Sequence, residues 1–258
     1  MSLTTHSKFY YGHEVTSDNY RIDFDEGSGE LTADLNIGTY TLTEFVAEVK
    51  RALDAAGALT YTVTVNRGTR IITIAASGNF DLLSNTGTHV GTGAWDLLGF
   101  STVTDHTGAA TYDAEAVTGE EYATQFIAQS YVGPEDLQKS VDATVHESAS
   151  GEVQVFRFGV VKFIEMNLRY ITSLNTGDSP IRYNANGLTD AQAFMQYSCR
   201  KNRMEFIPDE SDPDTFYPVI LESTPEDSKG TGYRLRELYG QGLPNFFETG
   251  TLKFRVLE

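Results

Sequence analysis

The side chains here that could do chemistry are five histidines, one cysteine and an acid-rich turn. The histidines are His6, His13, His89, His106 and His146. No two stand at the i, i+4 spacing that would turn both toward a metal from one helical face. Most lie in polar stretches, which predicts solvent-facing loop histidines; the alternative is a His/carboxylate site assembled only in three dimensions. Cys199 is the single cysteine, so neither an intramolecular disulfide nor a cysteine-rich metal site can form. It falls on the apolar face of a predicted helix, where a thiol behaves as a small hydrophobe. The turn "PDESDPD" sets Asp209, Glu210, Asp212 and Asp214 within six residues. Calcium uses oxygens arranged in this way. However, Pro213 interrupts the spacing, and the central Gly and terminal Glu of an EF-hand loop are missing, so a solvated turn is expected. No nucleophile-elbow, P-loop, dinucleotide or H-E-x-x-H pattern occurs. The sequence therefore predicts no enzyme, no cofactor and no metal ligands.

With no catalytic motif, surface is the feature left to read. "GYRLRELYGQGLPNFFETG" (232–250) combines Arg234, Arg236, Tyr239, Phe246 and Phe247 with four glycines. Arg and exposed aromatics on a flexible Gly-rich loop suit a protein interface; the plainer alternative is a long loop whose aromatics fold back onto the core. The formal net charge is −17 and is unevenly spread. Residues 1–150 hold 7 Lys+Arg against 21 Asp+Glu, residues 151–258 hold 12 against 15, and none of residues 71–138 is basic. Such a surface repels phosphate, which disfavours a nucleic-acid backbone or an anionic membrane as partner. It also keeps a protein soluble. No apolar run approaches the ~20 residues of a membrane span, so no membrane insertion is expected. The N-terminus "MSLTTHSKFYYGH" lacks an apolar core of signal-peptide length, which predicts folding in a cytoplasm.

The elements that position these residues are mostly strands. The 258 residues are 40% apolar and 12% aromatic, with frequent Thr, a balance that favours pleated sheets. In "YRIDFDE", Tyr20, Ile22 and Phe24 alternate with Arg21, Asp23 and Asp25. "EGSG" is a turn, and "ELTADLNI" resumes with Leu31 and Ala33, then Leu35 and Ile37 after a change of phase. Thr41-Leu42-Thr43-Glu44 has the spacing of a helix capping box. Phe45, Val46, Val49 and Leu53 form one apolar face, and Gly57 supplies the stop. "LTYTVTVN" and "RIITIAA" flank "RGT" as a hairpin over 59–76, with Thr60, Thr62 and Thr64 outward. The triplets Asp81-Leu82-Leu83 and Asp96-Leu97-Leu98 each read as a short helical turn, with Trp95 anchoring the second. "GPEDLQKSVDATVHESASG" (133–151) reads as a linker. In "VQVFRFGVVKFIEMNLRYITSLN" (153–175), Ile164, Met166, Leu168 and Tyr170 alternate with polar residues, and Gly159 marks a bulge. A second capped helix starts at Thr189 or Asp190, with Ala191, Phe194, Met195 and Cys199 on its inner face. Strands follow at "RMEFIPD", "FYPVILES" and "TLKFRVLE".

The predicted fold is mainly β (α+β), with antiparallel sheets or a β-sandwich and two short packed helices at about 42–56 and 190–203. The domains are 1–132 with the helix–hairpin module, a 133–151 linker, and 152–258 with one helix. The order "YTLTEFVAEVKRALDAAG…YTVTVNRGTRIITIAASGNFDLL…GTGAWDLLGF…TG", over about residues 38–112, resembles a module recurring in tailed-bacteriophage structural proteins. Flagellar hook-associated proteins carry a looser version. "MNLRYIT", "TDAQAFMQYSCRKNRMEF" and "GLPNFFETGTLKFRVL" make the C-terminal half similar to β-rich tail-tip or minor tail proteins of virions. The resemblance implies a virion subunit that associates with copies of itself and with neighbouring virion proteins. Two other roles compete with it: a module binding a receptor or host surface glycan, for which Trp95 and exposed Tyr near Asn, Asp and Gly would serve, and a wall-degrading hydrolase.

Overall fold

The computed structural model describes residues 7–123, 138–147, 153–168, 171–172, 188–238, 242 and 246–257. Its elements are mainly strands in antiparallel sheets, with three helices among the described residues. They form two compact units, one of Phe9–Glu121 with Arg203–Phe216, the other built from the described parts of Met1–Lys8, Tyr122–Asn202 and Tyr217–Glu258. In chain order the first stretch carries β1 (Lys8–Tyr11), β2 (His13–Val15), β3 (Arg21–Asp25), β4 (Glu30–Asp34) and β5 (Gly38–Tyr40). Helix α1 (Leu42–Ala56), β6 (Tyr61–Asn66), β7 (Ile71–Leu82), the one-turn α2 (Trp95–Leu98) and β8 (His106–Asp113) follow. Next come β9 (Glu121–Ala123), β10 (Gln138–Glu147), β11 (Val153–Asn167), β12 (Ile171–Thr172) and α3 (Leu188–Cys199). The chain closes with β13 (Met204–Ile207), β14 (Tyr217–Ser223), β15 (Arg236–Glu237), β16 (Phe246–Glu248) and β17 (Thr251–Val256).

The first unit is built round α1 and the sheet β4-β3-β7-β6, with β8 added on β7. Both halves of the capping box form: Thr41 Oγ1 accepts from the Glu44 N–H, and the Glu44 carboxylate accepts from the Thr41 N–H. These bonds satisfy two donors that a helix start would otherwise leave bare. Phe45, Val49 and Leu53 are fully buried in the same cluster as Ile22, Phe24, Tyr61, Ile74 and Phe80. Along β6, Tyr61 and Val63 face the core while Thr62 and Thr64 are exposed, the alternation expected of a sheet with one wet face. The Glu26 carboxylate ends the helix turn, accepting from the Ala58 and Leu59 N–H groups and from the Tyr61 hydroxyl.

Several elements differ from the sequence expectation. β7 runs on to Leu82, so Asp81-Leu82 closes a strand that pairs with β3 and β8. Asp96-Leu97-Leu98 does form a helical turn, ended by Gly99 at φ 80, where a side chain would strike the Ala116 carbonyl. Residues 203–216 join the first unit instead of the C-terminal one. Glu205, 0% exposed, accepts from the Thr43 N–H and from the Arg67 guanidinium. Arg67 donates to the Pro213 carbonyl and lies 3.6 Å over the Phe216 ring. A buried carboxylate held this way pins its strand, because either charge left alone would be strongly unfavourable.

In the second unit the strand order β10-β11-β17-β14 is antiparallel throughout. Residues 138–147, expected inside a linker, form β10 and pair with β11 from Gln138↔Phe163 to Glu147↔Val153. The register slips opposite Gly159, where a bulge was expected. Ile164, Met166 and Leu168 are buried and Glu165 and Asn167 partly exposed, as the alternation requires; Tyr170 lies outside the described residues. Helix α3 ends at Cys199 rather than near 203, because Lys201 adopts a left-handed backbone at φ 65 and its ammonium reaches the Leu221 carbonyl. Thr189 is the second residue of this helix, not its cap. Ala191, Phe194 and Met195 are buried, and Phe194 stacks on Tyr122 at 4.4 Å.

Phe45→Ala is expected to cost about 3–5 kcal/mol, the range for deleting a fully buried aromatic ring. Chemical unfolding that shows a loss below about 1 kcal/mol would remove α1 from the core.

Candidate functional site

The sheet β3–β4 has two faces. Ile22, Phe24 and Ala33 fill the core side. Arg21, Asp23, Asp25, Glu30, Thr32 and Asp34 belong to the other, since alternate residues share a face and Asp23 stands opposite Thr32. Alternation alone would leave Asp23 in water. It is instead 1% exposed, because the chain after β7 turns back along β3 and covers it. The Leu83 N–H donates to the Asp23 carbonyl and the Ala94 N–H to the Arg21 carbonyl. Gly87 permits the approach: a Cβ there would lie 2.7 Å from the Asp23 side chain and 2.6 Å from the Leu83 carbonyl oxygen.

The covering loop delivers His89. Its backbone N–H donates to Asp23 Oδ2 at 2.5 Å, and its Nδ1 lies 3.0 Å from Asp23 Oδ1. The Thr32 hydroxyl donates to the same Oδ1 at 2.8 Å. Glu30, two residues before Thr32 and on the same face, accepts from the Thr88 N–H and hydroxyl at 2.7 and 3.0 Å. One ligand atom each from Asp23, Glu30 and His89 thus falls within 4.8 Å of the others. No Lys or Arg among the described residues pairs with either carboxylate. Sequence reading missed this group because 58 residues separate Glu30 from Thr88. The only sequence-level hint was the charged residue at an alternating position beside a loop poor in apolar side chains.

Of the histidines expected at the surface, His13 is buried and His106 half-buried. His13 is 2% exposed and stacks face to face on Phe45, with ring centroids 4.3 Å apart. The Thr118 hydroxyl donates to the Leu97 carbonyl, so it accepts from His13 Nε2–H at 2.7 Å. That fixes the tautomer and leaves Nδ1 buried without a hydrogen-bond partner. Burial, with the nearby Arg70 charge, lowers the imidazole pKa to about 4. His106 stacks edge-on against Phe100, with Nδ1 3.4 Å from Glu115. His6 lies outside the described residues, and of His146 only the backbone, in β10, is described.

The remaining candidates separate. Arg234 is exposed, and Arg236 sits in β15 with its guanidinium on the Glu226 carboxylate at 2.5 Å. Phe246 and Phe247 are half-buried in β16, which pairs with β15 and β12, so the ends of the expected flexible loop are ordered strands. Tyr239 lies outside the described residues. Trp95 is 2% exposed in the first unit's core and presents no face to a sugar. Cys199 is half-buried instead of core, its thiol pKa raised by burial; Ser198 takes the inner position and donates to the Phe194 carbonyl. Asp209 and Asp212 accept from Ser211 and Thr215 in local turns, and the 209–214 carboxylates do not converge on a common point. No helix among the described residues is long and apolar enough to cross a membrane. No protein-family model matches the chain, and no curated protein matches it.

The His13 geometry sets a pH dependence. Its folded pKa lies below the unfolded value, so the unfolded chain takes the proton first as pH falls. Stability is full above about pH 6.5 and declines toward about pH 4, by about 3 kcal/mol for this shift. Denaturant titrations across that window are expected to show the decline, and His13→Gln to flatten it. An unchanged slope in the variant would assign the effect to other groups.

Proposed function

We propose that the chain is a structural subunit of a tailed-bacteriophage virion, in the tail or tail tip, and works by associating with copies of itself and neighbouring virion proteins. The observation that carries this reading is the ribbon of β10 and the first two-thirds of β11. Among the described residues β10 is an edge strand with β11 as its one neighbour. Residues 153–162 of β11 have only β10 beside them among the described residues, since β17 pairs with 163–167. The ribbon is ten residues long on the β10 side, about 33 Å. A two-stranded ribbon is marginal in water by itself, and free strand edges are templates for another chain. Its sequence adds Val153, Val155, Phe156, Phe158, Val160 and Val161, more apolar residues than a solvated ribbon needs.

Support also comes from the module that prompted the resemblance. The helix, the Thr-faced hairpin and the tryptophan turn all form at the expected residues. The glycan-binding alternative is weakened by the burial of Trp95. Of the two exposed basic side chains expected to meet an acidic neighbour, Arg236 is engaged with Glu226 in its own chain, which leaves Arg234 as the one with no ion pair among the described residues.

The test is to replace residues 140–161 by a short Gly-Ser turn. Incorporation into particles and mass by light scattering are then compared with wild type. Loss of incorporation with the melting of the first unit retained is the expected result. Unchanged incorporation would remove the ribbon from the interface, and absence of the protein from purified particles would sink the virion role itself.

A further inference from the structure

We propose that Asp23, Glu30 and His89 bind a divalent first-row transition cation that clamps the 83–94 loop to the β3–β4 hairpin. Three observations point to a cation. Donor atoms from all three side chains converge within 4.8 Å. Asp23 is almost wholly buried, and the groups that reach its carboxylate are one hydroxyl, one backbone N–H and one imidazole. Two carboxylates therefore face one another with no Lys or Arg between them among the described residues, while a buried carboxylate requires a compensating charge. His89 is 31% exposed in its side chain, so an ion can enter from solvent.

The donor set selects the class of ion. One imidazole nitrogen with two carboxylate oxygens suits zinc or manganese better than calcium, which prefers oxygen alone. At the site the ion bridges His89 Nδ1 and Asp23 Oδ1, which lie 3.0 Å apart. The imidazole binds in its neutral Nε2–H form, and water fills the remaining positions. With neutral His89 the three side chains carry two negative charges, which the ion cancels. The Thr32 hydroxyl and the Thr88 N–H and hydroxyl, already bonded to the two carboxylates, orient them as outer partners.

The experiment uses tag-free full-length protein stripped with a chelator and titrated with zinc, manganese and calcium. Zinc or manganese is expected to bind one-to-one and to raise the melting temperature by about 5–10 °C at a hundredfold excess over Kd. Calcium is expected to bind at least tenfold more weakly. Glu30→Gln, at an exposed position, and His89→Gln should each weaken zinc binding at least tenfold and cancel the thermal shift, with circular dichroism confirming the fold. No saturable binding, equal binding by both variants, or tighter binding of calcium than of zinc would each overturn the proposal.

Discussion

The apolar face of α1 must be covered, and the rest of the first unit follows from how that is done. Phe45, Val49 and Leu53 are fully buried, and the surface that buries them is one side of a twisted antiparallel sheet. Fully burying such side chains is worth roughly 1.5–3 kcal/mol each, and only close packing realises it. Rings set edge to face continue the core: Phe24 on Tyr61 at 5.8 Å, Tyr61 on Phe80 at 5.3 Å, Phe80 on Tyr112 at 5.1 Å. These contacts fix the register of β3, β6, β7 and β8, since a one-residue slip would turn each ring outward.

Once the inner face is committed to that core, polar residues are forced to the other side of the hairpin. There the chain between β7 and α2 folds over Asp23, and a residue that alternation sends to water becomes buried. His13 shows the opposite economy. A polar ring is used as a flat surface against Phe45, with one nitrogen satisfied by Thr118 and the other left bare. His13 is tolerable only as the neutral imidazole, so the unit's pH-dependent stability sits there.

The second unit has a different character. Its core is made by α3, β14, β17 and the later part of β11, with Phe194, Met195, Leu221 and Phe254 buried. Its most extended feature, the ribbon, has unpaired edges among the described residues. A stable core is thus joined to a strand pair that is marginal alone and whose edges are open to another strand.

Local pattern was enough to read α1, its capping box, the β6–β7 hairpin, the turn after Trp95, and the strands at 204–207, 217–223 and 251–256. Each is determined by side chains a few residues apart, where helix and strand periods differ plainly. The mainly β, antiparallel character followed from the same periods. Tertiary structure decided what covers the outward faces. It placed the loop on Asp23, seated Glu205 against Arg67 138 positions away, buried His13 and Trp95, and made residues 138–147 a strand. An alternating pattern states which side chains share a face. It does not state whether water or another segment meets that face, because that depends on contacts between residues far apart in the chain, and those contacts assemble the His89 cluster.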